Sequence, residues 1–280
     1  MKRWLVFLII FISIGAVIFG RFSYQAKLSD IAEAAKEHSS TPILQAEENA
    51  ASEPEENNGR DNNDSSEINI AELTEDLDSS VRDLIEGRYA EGEKIEIAAF
   101  GSRALTDSES EGLIPWPELL EDNLNESYST ELFEVTTYSF DRLTSLEVYQ
   151  DSLYEEAAVS HPDLLILEPF MLSNNGNVRI EDSLDITERL IEEFEKENED
   201  IIIFVQPPHP LYNSVFYPQE VEALKDFVEE QGLSYADHWE EWPGIQDEEL
   251  LTYTDEEHNM PTEAGHELWA EALKKYFVKE

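Results

Sequence analysis

Asp255 and His258 stand three residues apart in the acidic stretch TDEEHNMPTEAGHELWAEAL near the chain's end. A carboxylate at that spacing can reach back to the ring's Nδ1–H, fix the tautomer and leave Nε2 free to take a proton from a hydroxyl. Far upstream, Gly101-Ser102 supplies a hydroxyl, and Asn174 and Asn175 supply amide donors. These are the parts of acyl transfer: a serine activated by an imidazole, a carboxylate that orients the ring, and fixed N–H groups that receive the developing oxyanion. Each part also has a plainer reading. Serine beside glycine and Asn-Asn beside Gly176 are ordinary turn formers, His258 can close a loop by hydrogen bonding, and D-x-x-H recurs by chance in so acidic a chain. The chemistry therefore requires a fold that gathers these positions.

The chain supplies the elements for one. Short apolar runs at Ile95–Phe100, Leu132–Tyr138, Leu164–Leu167, Ile201–Val205 and Leu233–Ala236 alternate with helical stretches at Trp116–Asn125, Arg142–Ala157, Ser183–Glu197, Pro218–Gln231 and Thr262–Phe277. Such alternation predicts an α/β fold, with parallel strands joined by right-handed crossovers and helices on both faces. Ligands in that architecture bind beyond the carboxyl ends of the strands. There the chain places GSRALTDSE, TTYSFDR, EPFMLSNNGN, QPPHPLYN and DHWEEWP, polar where the strands are not. Pro261 is expected in the first turn of the last helix, which makes His258 a loop residue at a helix mouth. His266 falls within that helix beside the stripe Leu268, Trp269, Ala272, Leu273, Tyr276 and Phe277, so it is expected to pack or face solvent. Asp237 and His238, flanked by Trp239 and Trp242, read as a packed structural loop.

Composition narrows the function. With 64 acidic and 18 basic residues the 280-residue chain carries a formal net charge of −46, which excludes a nucleic-acid partner because phosphate binding relies on Lys and Arg. It has no cysteine, hence no disulfide, thiolate metal site or Cys nucleophile. No recognised zinc or calcium spacing is present. Lys2 and Arg3 precede an apolar run from Trp4 to Phe19, slightly short of the roughly 20 residues of a spanning helix and long for a signal-peptide core. It is read as an uncleaved membrane anchor over residues 1–22, with a cleaved secretory signal as the alternative; either way the bulk of the chain is exported. Residues 23–67 form an extracytoplasmic spacer, largely disordered from 39 because its Ser, Asn, Glu, Asp and Pro cannot repay the entropy of ordering. Helical periodicity resumes over Ile68–Arg88, opening a domain of residues 68–280.

From Ile95 to Phe277 the sequence resembles the SGNH/GDSL hydrolase family. Phe100-Gly101-Ser102 partly matches the family's first block, followed by Trp116-Pro117-Glu118-Leu119-Leu120 opening a helix. Leu172-Ser173-Asn174-Asn175-Gly176 falls where the third block lends an Asn to the oxyanion hole, and Asp255 to His266 matches the last block, D-x-x-H followed by a Gly-His helix start. Arg103 stands where the family places its serine, and Val135 to Leu146 contains no counterpart of the second-block glycine.

The resemblance implies a three-layer α/β/α fold with a central, mostly parallel five-stranded sheet of flavodoxin-like type. It implies an esterase or O-acyltransferase, with Ser102, His258 and Asp255 catalytic, Asn174 or Asn175 in the oxyanion hole, and no cofactor. Beside the resemblance, Arg103 reads first as a surface residue and second as a holder of an anionic or carbonyl-bearing substrate, and Glu168 reads as a buried acid near the site or a strand-end cap, with substrate contact as its other candidate role. Acyl esters of cell-envelope glycans are the expected substrates, with lipid or small esters as alternatives. Arg103 at the family's serine position motivates the other expectation, an inactive relative that binds an envelope glycan or a protein.

Overall fold

The computed structural model describes residues 69–255 and 259–279. Five strands, β1 (Ile95–Gly101), β2 (Phe133–Ser139), β3 (Leu164–Leu167), β4 (Ile202–Val205) and β5 (Ser234–Tyr235), form one sheet in the order β2-β1-β3-β4-β5. Every neighbouring pair is parallel, with Gly101 opposite Ser139 and Phe100 opposite Leu167. Strand order 2-1-3-4-5 reverses direction between β1 and β3, and the crevice at such a reversal is where an open α/β sheet binds ligands. The predicted α/β architecture is therefore the observed one, and it marks the ends of β1 and β3 as the place to look.

Nine helices in the described residues, in chain order, flank the sheet or connect its strands: α1 (Ile70–Leu73), α2 (Ser79–Glu91), α3 (Trp116–Tyr128), α4 (Ser145–Gln150), α5 (Glu155–Ala158), α6 (Met171–Asn174), α7 (Ile180–Glu197), α8 (Tyr217–Glu230) and α9 (Glu263–Lys274). Alternation along β1 sends Ile95, Ile97 and Ala99 into one buried cluster with Val81, Ile85, Leu120, Leu124, Trp269 and Leu273, and Ala98 and Phe100 into another with Ile186, Leu190, Phe194, Val221 and Leu224. Two cores result, one on each side of the sheet. Each fully buried side chain of this size contributes about 1.5–3 kcal/mol relative to exposure, so the strands are held from both faces.

Several expected elements are shorter than their periodicity suggested. The helix predicted over Ile68–Arg88 is two, because Asp78 accepts the Ser80 N–H and starts a new helix at Ser79. The stretch Arg142–Ala157 also divides. Thr144 and Glu147 form a reciprocal capping box that starts α4 at Ser145, and Ser152, at φ 54°, interrupts the chain before α5. Pro261 is not in a helix; it belongs to β7 (Met260–Pro261), which pairs antiparallel with β6 (Thr254–Asp255). Thr262 caps α9 instead, accepting the Gly265 N–H. Gly265 cannot carry a side chain, since a Cβ there would lie 2.1 Å from the Tyr253 carbonyl oxygen.

Among the described residues no helix is long and apolar enough to cross a membrane. The anchor expected over 1–22 and the spacer over 23–67 lie outside the described residues.

Candidate active site at the carboxyl ends of β1 and β3

Gly101 ends β1 so close to β3 that a Cβ would meet the Glu168 carbonyl oxygen at 2.7 Å and the Glu168 Cβ at 2.8 Å. That closeness lets the chain turn directly over Glu168. The Ser102 N–H donates to Glu168 Oε2 at 2.8 Å, and the Met171 N–H donates to Oε1 at 3.2 Å. One carboxylate thus braces the loops that follow β1 and β3. Burial pushes the Glu168 carboxyl above its ordinary range, and the Ser102 hydroxyl and the Ser102, Met171 and Phe170 N–H groups oppose the shift in part. Of the roles expected for Glu168, the buried acid near the site is the observed one, and substrate contact is not. It is fully buried and serves as a structural strut.

Ser102 takes the N-cap position of the 3-10 turn Arg103–Leu105, and its Oγ accepts the Ala104 N–H at 3.2 Å. Ser102 is itself fully buried, and its hydroxyl hydrogen-bonds the Glu168 carboxylate, so a base has to draw the proton out of that bond. The turn is held from the β2 side as well: Ser139 Oγ donates to the Ser102 carbonyl at 3.1 Å, and the Arg103 N–H donates to the Asp141 carbonyl at 2.9 Å. The Arg103 guanidinium pairs with Asp107, Nε to Oδ2 at 2.6 Å.

The two asparagines separate. Asn174 is buried, its Oδ1 accepting the Ser145 N–H at 2.9 Å and its Nδ2 donating to Ser145 Oγ at 2.9 Å and Ser183 Oγ at 2.7 Å. With donors and acceptor engaged, it ties α6 to α4 and α7 and has no hydrogen left for an oxyanion. The oxyanion role considered for Asn174 is therefore corrected to a structural one. Asn175 is exposed and lines a cavity of about 390 Å³ together with Ser102, Arg103, Arg142, His209, Leu211 and Asn259.

Asn259 brings the late loop to the same place. It has φ 52° and its N–H donates to the Asp255 carbonyl at 2.8 Å, closing the turn between β6 and β7. His258, with Glu256 and Glu257, lies outside the described residues. The residues that flank it in sequence are nevertheless placed: Asp255 in β6, and Asn259 on the wall that Ser102 also lines.

His209 is a site residue that sequence reading does not single out within QPPHPLYN. It is buried, and its Nε2 lies 2.9 Å from the Asn259 carbonyl oxygen; because a carbonyl can only accept, Nε2 carries the proton and Nδ1 keeps a lone pair. Among the described residues that Nδ1 has no hydrogen-bond partner. Burial lowers the ring's pKa to about 4, the Asn259 bond opposes this, and the Arg103 charge lowers it further. A histidine between two prolines after a strand is the one signal that could have drawn attention to it.

His266 packs, as one of its two expected placements held. It is fully buried, accepts the Trp116 N–H on Nδ1 at 3.1 Å and bonds Ser108 through Nε2, so it is not part of the cavity. Its pKa is lowered to about 4, chiefly by burial. His238 is likewise structural, with Nε2 donating to the Pro207 carbonyl at 2.8 Å and Nδ1 accepting from Trp242 Nε1 at 3.0 Å, while Asp237 pairs with Lys225. Among the described residues no cluster of three His, Asp or Glu side chains could hold a metal ion.

Solved structures share this fold. A protein described as a lipolytic member of the G-D-S-L family, from Desulfitobacterium hafniense, superposes with a TM-score of 0.53 at 17% identity over 64% of this chain and 98% of that chain. A GDSL-like lipase from Parabacteroides merdae gives 0.54 at 10% identity over 66% and 96%. A catalytic mutant of the acetylxylan esterase Axe2 from Geobacillus stearothermophilus gives 0.52 at 14% identity over 66% and 94%. No protein-family model matches the sequence, and no curated protein matches it. The chain has the SGNH/GDSL hydrolase fold, an α/β fold with a central parallel five-stranded sheet.

Proposed function

We propose that the protein is an exported, membrane-tethered ester hydrolase or O-acyltransferase of SGNH type, acting on acyl esters of cell-envelope glycans. The observation that carries this reading is that Ser102, on the turn after β1, and Asn259, the residue following His258, line one cavity at the sheet's reversal point. In the proposed reaction Ser102 Oγ attacks the acyl carbonyl carbon while His258 takes its proton, and Asp255 holds the ring in the required tautomer. The oxyanion is met by the amide of Asn175, the asparagine of the pair that remains unengaged. The proton returns to the departing sugar hydroxyl, and water or a second hydroxyl then releases the acyl group from Ser102. The acetylxylan esterase of the same fold supports an acylated glycan as substrate class, and Lys2 and Arg3 ahead of the Trp4–Phe19 run support export and tethering.

The test is hydrolysis of p-nitrophenyl acetate by the full-length protein. Ser102→Ala and His258→Ala should each lower turnover by about 10³-fold or more, with folding checked by circular dichroism. Unchanged turnover in Ser102→Ala would remove the serine from the mechanism.

A second reading is favoured by one observation. Arg103, at the family's serine position, lies in the cavity and is paired with Asp107. In that reading the domain binds an envelope glycan or protein partner without turning it over. Folded protein with no esterase activity and no reaction with a fluorophosphonate would support it.

A further inference from the structure

Arg142 stands out in a chain with a net charge of −46. Every other described Lys or Arg reaches a carboxylate within 4.0 Å: Arg82, Arg88, Lys94, Arg103, Arg179, Arg189, Lys196, Lys225, Lys274, Lys275 and Lys279. Among the described residues Arg142 has no such partner, although acids crowd the surface. It is exposed, sits on the turn after β2 and lines the cavity that holds Ser102. The backbone of that turn is tied to the site, since the Asp141 carbonyl accepts the Arg103 N–H at 2.9 Å.

Among the described lining residues the other two charges, Arg103 and Asp107, are paired with each other. One uncompensated guanidinium therefore remains among the described lining residues. The rest of the lining is mostly polar and unionised, including Ser173, Asn175 and Asn177, with Leu172 and Leu211 as its larger apolar members. Such a lining suits hydroxyl groups better than an acyl chain. A single planar guanidinium matches a carboxylate in bidentate fashion, whereas a doubly charged phosphate would bring one negative charge too many into an already acidic protein.

We infer that the cavity takes an acidic sugar unit, a ring bearing a carboxylate beside hydroxyl groups, with Arg142 on the carboxylate and Asn175 on a neighbouring hydroxyl. The inference rests on the cavity being the functional site and deepens the substrate class given above. It does not depend on turnover.

Calorimetric titration of the full-length protein with tetragalacturonate and with neutral xylotetraose tests it. Tetragalacturonate should bind at least about tenfold more tightly, Arg142→Gln should abolish the difference, and Arg142→Lys should retain part of it. Since Arg142 has no partner within the described protein, the glutamine variant is expected to fold normally, and its affinity for xylotetraose should not change. Equal binding of the two oligosaccharides, a preference indifferent to Arg142→Gln, or no binding of either overturns the inference. Fluorophosphonate labelling reads the catalytic proposal separately: an unlabelled protein that still prefers tetragalacturonate through Arg142 keeps this inference and loses the esterase, and a labelled protein without the preference does the reverse.

Discussion

On one side of the sheet Phe100 packs against Phe140, Phe170 and Phe194, with ring centroids 4.9, 5.9 and 5.5 Å away. On the other, Trp269 lies between Trp116, at 5.3 Å, and His238, at 4.5 Å, with polar atoms threaded among the rings. Trp269 Nε1 donates to Gln206 Oε1 at 2.9 Å, and His266 joins Ser108 to the Trp116 N–H. The first core is held by apolar area, which tolerates repacking. The second is held by area and by directional bonds, and a misplaced ring there leaves a buried polar group unsatisfied. The polar core contains α9, the helix that follows β7, and Gly265 of that helix packs against the Tyr253 carbonyl just before β6.

Acid should separate the two cores most strongly. His209, His238 and His266 are buried neutral, with pKa values lowered to about 4, 3 and 4, against about 6.5 in an unfolded chain. The unfolded state therefore binds more protons over this window, and the stabilisation is fully present above pH 6.5 and lost as pH falls toward 4. Each ring contributes a slope of up to about 1.4 kcal/mol per pH unit. Glu168, raised by burial, works in the opposite direction. Urea midpoints measured from pH 7 to pH 5 should fall steadily, and a flat profile would contradict the buried neutral rings.

His266→Leu should come next. It removes the Ser108 bond and leaves the Trp116 N–H unpaired, for a loss of about 3 kcal/mol in urea unfolding and a shallower dependence on pH. Phe194→Leu, on the apolar side, should cost only about 1.5 kcal/mol and leave the pH slope as it was. A Phe194 variant that altered the slope would mean that the two cores are coupled through the sheet.

The alternation of short apolar runs with amphipathic stretches was enough to give the parallel sheet, because burial on two faces writes itself into residue type. The placement of Ser102, Asn175 and Arg103 near the ends of β1 and β3 also follows from that pattern. Partners are a different matter. Nothing in the spacing of Glu168 shows that it turns inward to bind the Ser102 N–H, and nothing in Asn-Asn-Gly shows which amide is consumed by Ser145 and Ser183. Those bonds join residues far apart in the chain. His209 stayed hidden for the same reason, since its role comes from the Asn259 carbonyl fifty positions away. The break before α4 was legible, by contrast, in the Thr144-x-x-Glu147 capping box.

Treating the full-length protein with a fluorophosphonate and mapping the adduct by peptide mass spectrometry addresses the acyl-transfer reading directly. The expected product is a single adduct on Ser102, lost in His258→Ala while that variant remains folded. An adduct on another serine, or folded protein that forms none, would contradict Ser102 as the nucleophile.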